Sequence, residues 1–284
     1  DAPAVVRQLA LYSHKAQAKV GFLGFGGLGC LRQDRQLSCS AALPLRDSPI
    51  MNDRFPKLNA MSDGYVFVVT YGRSGSTLLQ NVLNAIPGYC IRGENANTLV
   101  HLAKAWHAVE TEEALRGARR SGVETTPSHP WYGADLVKPF SYGKSLAEVF
   151  TREVLHLPKD ARVGGFKEIR FHTQPTLFRP SLQFIRTFFP KARFVFNTRS
   201  HAAVAKSGWW AEMPEARVRQ LLKEAEVLFD GWIASYPDIC LKMHYDDYAG
   251  APEAMRPLFD FLGEDFDLET VTKVLQTRLT HLKQ

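Results

Sequence analysis

The chain lacks most of the features that would assign it to a class at sight. Its four cysteines, Cys30, Cys39, Cys90 and Cys240, form no C-x-x-C pair and show no spacing that suits a metal ion. A disulfide framework or a zinc module is therefore not expected, and a reduced compartment is. No apolar run reaches the roughly 18–20 residues that a membrane-spanning helix needs. Neither sign of charge dominates: 35 Lys and Arg against 29 Asp and Glu leave +6. Residues 1–60 hold eight of the cations and four of the anions, a net +4, so the other 224 residues hold 27 and 25, a net +2. The basic pI of about 9.1 thus owes much to the N-terminal segment and does not argue for a nucleic-acid partner.

One stretch organises what is present. Tyr65 to Leu83 reads YVFVVTYGRSGSTLLQNVL. The run Val66-Phe67-Val68-Val69-Thr70 is short, continuous and rich in β-branched residues, which predicts a buried strand of a parallel sheet. Leu78, Leu79, Val82 and Leu83 then fall at helical spacing. Between them lies Tyr71-Gly72-Arg73-Ser74-Gly75-Ser76-Thr77. A strand, a glycine-containing loop and a helix N-terminus together hold phosphate: free N–H groups of the first helical turn point at the anion and the helix dipole favours it. Ser74, Ser76 and Thr77 offer hydroxyls, and Arg73 offers a planar fork of donors. The Walker A pattern G-x-x-x-x-G-K-[ST] does not apply, because two residues separate Gly72 from Gly75 and Ser76 stands where the Lys would.

Residues 1–60 are expected to be a poorly ordered extension, with one domain over residues 61–284. Gly24 to Gly29 match G-x-G-x-x-G, but no second strand with its acidic residue follows, so no dinucleotide site is assigned there. Met51 and Met61 precede the first convincing strand and are candidate starts of the natural domain. Beyond the loop, Cys90-Ile91 predicts a short strand with Arg92, Glu94 and Asn95 at its carboxyl end, and a helix covers residues 96–109. Residues 110–138 read as a long loop containing Trp131-Tyr132-Gly133, a natural place for substrate contacts. Strands are predicted at residues 162–167, 193–197 and 239–243. Amphipathic helices are predicted around Val149, Ile185, Leu222, Leu258 and Leu275. The alternation predicts an α/β fold of three layers, helices covering both faces of a central parallel sheet.

Three segments together resemble the sulfotransferases that use 3′-phosphoadenosine 5′-phosphosulfate (PAPS). The loop Gly72–Thr77 looks like that family's 5′-phosphosulfate loop. Phe194-Val195-Phe196-Asn197-Thr198-Arg199, with Ser207 eight residues after Arg199, looks like its 3′-phosphate element. Arg92-Gly93-Glu94 is similar to the R-x-G-E segment of the tyrosylprotein branch. The resemblance spans roughly residues 65–262 and implies a P-loop-like sulfotransferase fold. Asn197-Thr198-Arg199 departs from the family, which often has Asp or Asp-Pro there. The C-terminal Arg-Lys-Gly motif of the small-molecule branch is absent. That directs the expectation to a carbohydrate or other large acceptor, and to a bacterial cytoplasmic enzyme, since no Golgi-type anchor is evident.

The roles expected on this resemblance are these. Gly72, Arg73, Ser74, Gly75, Ser76 and Thr77 take the 5′-phosphosulfate, and Arg199 and Ser207 take the 3′-phosphate. Glu94 is the candidate base that takes the acceptor proton, its other uses being to cap the next helix or to pair with Arg92. Lys167 contacts the sulfonate or acceptor, or else pairs with Glu168. His101, His107, His129 and His201 are alternative bases, and Trp106, Trp131, Tyr132, Trp209 and Trp210 either stack on a ring or pack. No metal is expected. The rival enzyme is a P-loop-type kinase, with Asp246-Asp247 as its one candidate for Mg²⁺. The rival binding protein is a non-catalytic nucleotide module.

Overall fold

A computed structural model describes residues 54–277. The G-x-G-x-x-G stretch, Cys30 and Cys39 lie outside these residues, as does most of the expected extension. Its last part does not behave as an extension. Phe55 and Leu58 are buried in the core, and the Glu148 carboxylate accepts from the N–H groups of Lys57 and Leu58 at 3.2 and 2.7 Å. The packed part therefore begins ahead of residue 61.

Five parallel strands form one sheet: β1 (Gly64–Thr70), β2 (Tyr89–Arg92), β3 (Val163–Glu168), β4 (Arg193–Thr198) and β5 (Cys240–His244), in the order β2-β3-β1-β4-β5. Among the described residues the helices are α1 (Ser76–Ala85), α2 (Thr98–Thr111), α3 (Glu113–Ser121), α4 (Pro139–Phe150), α5 (Pro175–Phe188), α6 (His201–Ala205), α7 (Glu215–Ser235), α8 (Tyr245–Tyr248), α9 (Arg256–Leu262) and α10 (Leu268–Gln276).

All seven residues of β1 are buried, as a central strand covered on both faces requires. Side chains alternate across it. Phe67 and Val69 join Phe166, Phe194 and Phe196 against α2, α4, α5 and α7, while Val66 and Val68 join Val163 and Val195 against α1, α9 and α10. The result is the three-layer α/β/α arrangement. On the first face Phe67, Phe166 and Phe189 meet edge to face, with centroids 5.2 Å apart in both pairs made by Phe67. Full burial of each such ring stabilises the fold by about 1.5–3 kcal/mol.

Two elements differ from expectation. α3 occupies part of the predicted loop 110–138; its apolar face holds only Ala114, Leu115 and Ala118, and none of its residues is fully buried. The resemblance places Ser207 on the helix that follows Arg199, but α6 ends at Ala205, which leaves Ser207 just past it, ahead of the 3-10 segment Gly208–Glu212.

The strand order matters for the site. From β1 the chain turns to one side of the sheet, toward β2. From β4 it turns to the other side, toward β5. The carboxyl ends of β1 and β4, which are neighbours, therefore frame the crevice where open parallel sheets bind ligands.

Candidate active site

The loop after β1 fills that crevice. Arg73 and Gly75 both adopt left-handed backbone, with φ of 66° and 78°. No side chain caps α1; Leu78 N donates to the Gly75 carbonyl at 2.9 Å, and the N–H groups of Ser76 and Thr77 are left for a ligand or water. The glycines are required by close approach. A Cβ at Gly75 would lie 2.0 Å from the Tyr245 ring, and one at Gly72 would lie 2.3 Å from Trp209. Trp210 Nε1 donates to the Gly72 carbonyl at 2.9 Å. Trp210 is thus packing, and the half-buried Trp209 flanks the loop.

The three loop hydroxyls are not equivalent. Ser74 is fully buried and turned inward, its Oγ sharing a hydrogen bond of 2.7 Å with Thr70 Oγ1. It holds the loop to the strand and is not free to face a ligand. Ser76 and Thr77 open α1, and no partner for either hydroxyl occurs among the described residues.

The element after β4 is bolted to this loop. Thr70 Oγ1 donates to the Asn197 carbonyl at 2.6 Å, and Asn197 Nδ2 donates to the Ser74 carbonyl at 2.9 Å. Tyr248 OH donates to Asn197 Oδ1 at 2.9 Å. Tyr71 OH accepts from Arg199 N at 2.9 Å and donates to Glu226 Oε1 at 2.8 Å. Burial pushes the Tyr71 phenol well above its usual range, so it stays a neutral donor. Beyond Glu226, His201 Nε2 lies 2.9 Å from the same carboxylate oxygen.

Arg199 itself reaches back across the crevice. Its Nη1 donates to the Arg73 carbonyl at 3.1 Å, and its guanidinium stacks 4.5 Å from the Tyr245 ring centroid. Its Nε is buried with no hydrogen-bond partner, and Asp246 Oδ1 stands 3.8 Å away. Ser207 was expected beside Arg199. It accepts instead from Arg73 Nε at 2.9 Å. A buried guanidinium N–H that makes no hydrogen bond, beside an uncapped helix start, fits an anion. Next to it, a cavity of about 390 Å³ lies between the ends of β4 and β5, lined by Arg199, Ser200, His201, Lys242 and His244 among others.

A second cluster stands at the ends of β2 and β3. Lys167 Nζ donates to Glu94 Oε1 at 2.7 Å, and Arg170 Nη1 lies 3.1 Å from Glu94 Oε2. The Lys167 side chain is 7% exposed and that of Glu94 31%. Neither expected side use of Glu94 occurs: α2 has no side-chain cap, and Arg92 donates to the carbonyls of Leu155 and His156. Lys167 pairs with Glu94 rather than Glu168. The fully buried Glu168 carboxylate accepts instead from the N–H groups of Asn95, Asn97 and Ile169 and from Arg170. Among the alternative bases, His201 lines the cavity, while His129 is exposed and accepts from Trp131 N. Among the described residues no group of three or more His, Cys, Asp or Glu is placed to hold a metal ion.

A sequence profile described as "Sulfotransferase family" matches residues 65–268. The chain belongs to the sulfotransferase family. Among solved structures, this sulfotransferase is similar to the sulfotransferase domain from the Synechococcus PCC 7002 olefin synthase. The two are 19% identical over 75% of this chain and 78% of that one, with a TM-score of 0.50. It is also similar to the sulfotransferase domain from the curacin biosynthetic pathway, at 16% identity over 77% and 81% of the two chains, with a TM-score of 0.48. At such identities the first likeness is one of fold. Comparison with curated proteins yields no match.

Tyr71, Tyr245, Glu168 and Arg170 enter this site without a motif to announce them. Tyr71 and Tyr245 each follow a strand end directly, Glu168 ends β3 and Arg170 stands two residues beyond it, and that position is the one signal that marks them.

Proposed function

We propose that this sulfotransferase moves the sulfuryl group of PAPS to a hydroxyl of a carbohydrate acceptor by in-line transfer. The observation that carries the reading is the joining, in one crevice, of the uncapped loop before α1 and the strand-end Arg199, whose buried Nε makes no hydrogen bond. Two such elements suit a nucleotide that bears phosphate at both the 5′ and the 3′ positions.

The residues divide the work as follows. Arg73, the backbone of Gly75 and the hydroxyls of Ser76 and Thr77 hold the 5′ group, and Arg73 offsets the charge that grows on the leaving phosphate as its bond to sulfur breaks. Arg199 grips the 3′-phosphate, with Ser207 acting through Arg73. Glu94 takes the proton of the attacking hydroxyl, and Lys167, already 2.7 Å from it, turns toward the sulfonate. This chemistry asks for positioning and fixed positive charge, with no metal in the scheme. A cytoplasmic setting suits the thiols of Cys90 and Cys240, which are free and lie on opposite edge strands.

Calorimetric titration with adenosine 3′,5′-bisphosphate, with AMP and ATP–Mg²⁺ as competitors, tests the reading. Selective binding of the bisphosphate, lost in Arg199→Ala, supports it and opens an acceptor screen with labelled PAPS. Equal or tighter binding of ATP–Mg²⁺ would sink it in favour of a kinase.

A further inference from the structure

The turn from Glu94 to Asn97 is strained and held. Ala96 and Asn97, neither of them glycine, have φ of 56° and 61°. Consecutive left-handed residues of this kind cost on the order of 1–3 kcal/mol each, and they persist only where the surroundings over-determine them. Here the surrounding group is Glu168. Its Oε2 accepts from Asn95 N at 3.2 Å and from Asn97 N at 3.0 Å, so one buried oxygen gathers the two amides that flank Ala96. Its Oε1 accepts from Ile169 N at 2.9 Å and from Arg170 Nη1 at 3.2 Å. The same Nη1 lies 3.1 Å from Glu94 Oε2. Glu168 thus fixes Glu94 twice, through the backbone that carries it and through the cation that grips it. Lys167, next to Glu168 on β3 and pointing to the opposite face of the sheet, closes the arrangement on Glu94 Oε1.

We propose that Glu168 is the positioning residue of this active site, setting the Glu94–Asn97 turn and, through Arg170, the orientation of the Glu94 carboxylate. The proposal rests on the reading of Glu94 as the base. Glu168 touches neither donor nor acceptor. Its effect is on alignment, where an error of about 1 Å costs about 100-fold in rate.

The test uses the full chain with Glu168→Gln, Arg170→Ala and Arg170→Lys. Two readouts accompany turnover of labelled PAPS with a pool of oligosaccharides. One is bisphosphate affinity by calorimetry, and the other is hydrogen exchange at the Asn95 and Asn97 amides. Glu168→Gln is expected to lower kcat about 100-fold with little change in KM for PAPS. It should leave bisphosphate affinity within about twofold and speed exchange at both amides about tenfold or more. Arg170→Ala should lower kcat without the exchange change, and Arg170→Lys should recover most of the loss. Wild-type exchange in Glu168→Gln overturns the proposal even where no oligosaccharide is sulfated. So does a loss of bisphosphate affinity in step with kcat, which would show a merely structural carboxylate. Undiminished transfer by Glu94→Gln would instead overturn the base reading beneath it, a result independent of any change at residue 168.

Discussion

Arg73 donates from Nε to the hydroxyl of Ser207 at 2.9 Å. The contact joins the loop after β1 to the segment after β4, 134 positions later in the chain. Arg199 adds a second tie to the same residue, through the Arg73 carbonyl at 3.1 Å. The parts expected to hold the two ends of one nucleotide are therefore one hydrogen-bonded unit, with Arg73 at its centre.

That unit predicts non-additivity. Arg73→Ala and Ser207→Ala should each weaken bisphosphate binding, Arg73→Ala by far the more. The double variant should resemble Arg73→Ala alone, because Ser207 acts through the Arg73 guanidinium. A coupling of about 1 kcal/mol or more in a double-mutant cycle is expected for a charge-assisted bond in direct contact. Strictly additive losses in calorimetry would mean that Ser207 meets the nucleotide on its own.

The glycines predict a graded series. Gly75→Ala places a methyl 2.0 Å from the Tyr245 ring at a φ of 78°. A cost of about 1–3 kcal/mol and a large loss of bisphosphate affinity are expected. Gly72→Ala meets Trp209 at 2.3 Å, but that indole is partly exposed and can swing away, so the cost should be smaller. Gly93→Ala meets nothing within 4 Å and should stay within about 0.5 kcal/mol of the native chain. Urea unfolding of the three ranks them, and an inert Gly75→Ala would contradict the packing of Tyr245 on the loop.

Much of this was legible in the chain, and for a physical reason. β1 and β4 are buried on both faces, so they appear as unbroken apolar runs, and each leads directly into its charged loop. The glycine spacing marked the turn between β1 and α1 because only a narrow set of residues fits there. What was not legible depends on geometry that spacing does not encode. The left-handed backbone at Arg73 aims its side chain at Ser207, and nothing in the residue type forecasts that φ. The Glu94–Lys167–Arg170 cluster exists because β2 and β3 are neighbours, and strand order cannot be read from the strands themselves. Ser74 looked like a ligand hydroxyl until Thr70 proved to be within reach below it. α3 escaped notice because its apolar face is short, Ala114, Leu115 and Ala118 alone, and none of them is fully buried.

Asn197 carries a prediction about charge. Its amide must donate to the Ser74 carbonyl and accept from Tyr248 OH, both at 2.9 Å, in a fully buried position. A carboxylate here would accept from Tyr248 but face Ser74 acceptor to acceptor. Asn197→Asp should therefore cost about 3 kcal/mol or more near neutral pH. The loss should shrink on acidification, because a protonated carboxyl regains a donor for Ser74. The sign follows from burial, which raises the folded carboxyl above its unfolded value, so stability is lost as pH rises between the two. Asn197→Ala should cost a similar amount with no such pH dependence. Parallel pH slopes for the two variants in urea unfolding would refute the hydrogen-bond assignment.

His172 predicts how the native chain responds to acid. Its ring meets Tyr71 and Phe229 edge-on, with both centroids 6.4 Å away, and its Nδ1 is buried without a partner. Burial pushes the imidazole down to about 4 from its ordinary 6.5, against a smaller opposing pull from the Thr70 backbone. Between those values the unfolded chain binds a proton that the folded chain does not, so stability must fall as pH drops from about 6.5 toward about 4. The whole interval is worth on the order of 3 kcal/mol. His172→Phe keeps an aromatic ring against Tyr71 and Phe229 and removes the titration. It should flatten this part of the pH–stability curve while leaving the plateau near neutrality about where it was. An unchanged slope would show that the imidazole is already charged in the fold, which the apolar walls around its unpaired nitrogen argue against. The same residue touches Tyr71, whose hydroxyl positions Arg199. Acid loss of bisphosphate affinity should therefore track acid loss of stability in the native chain, and both should ease together in His172→Phe.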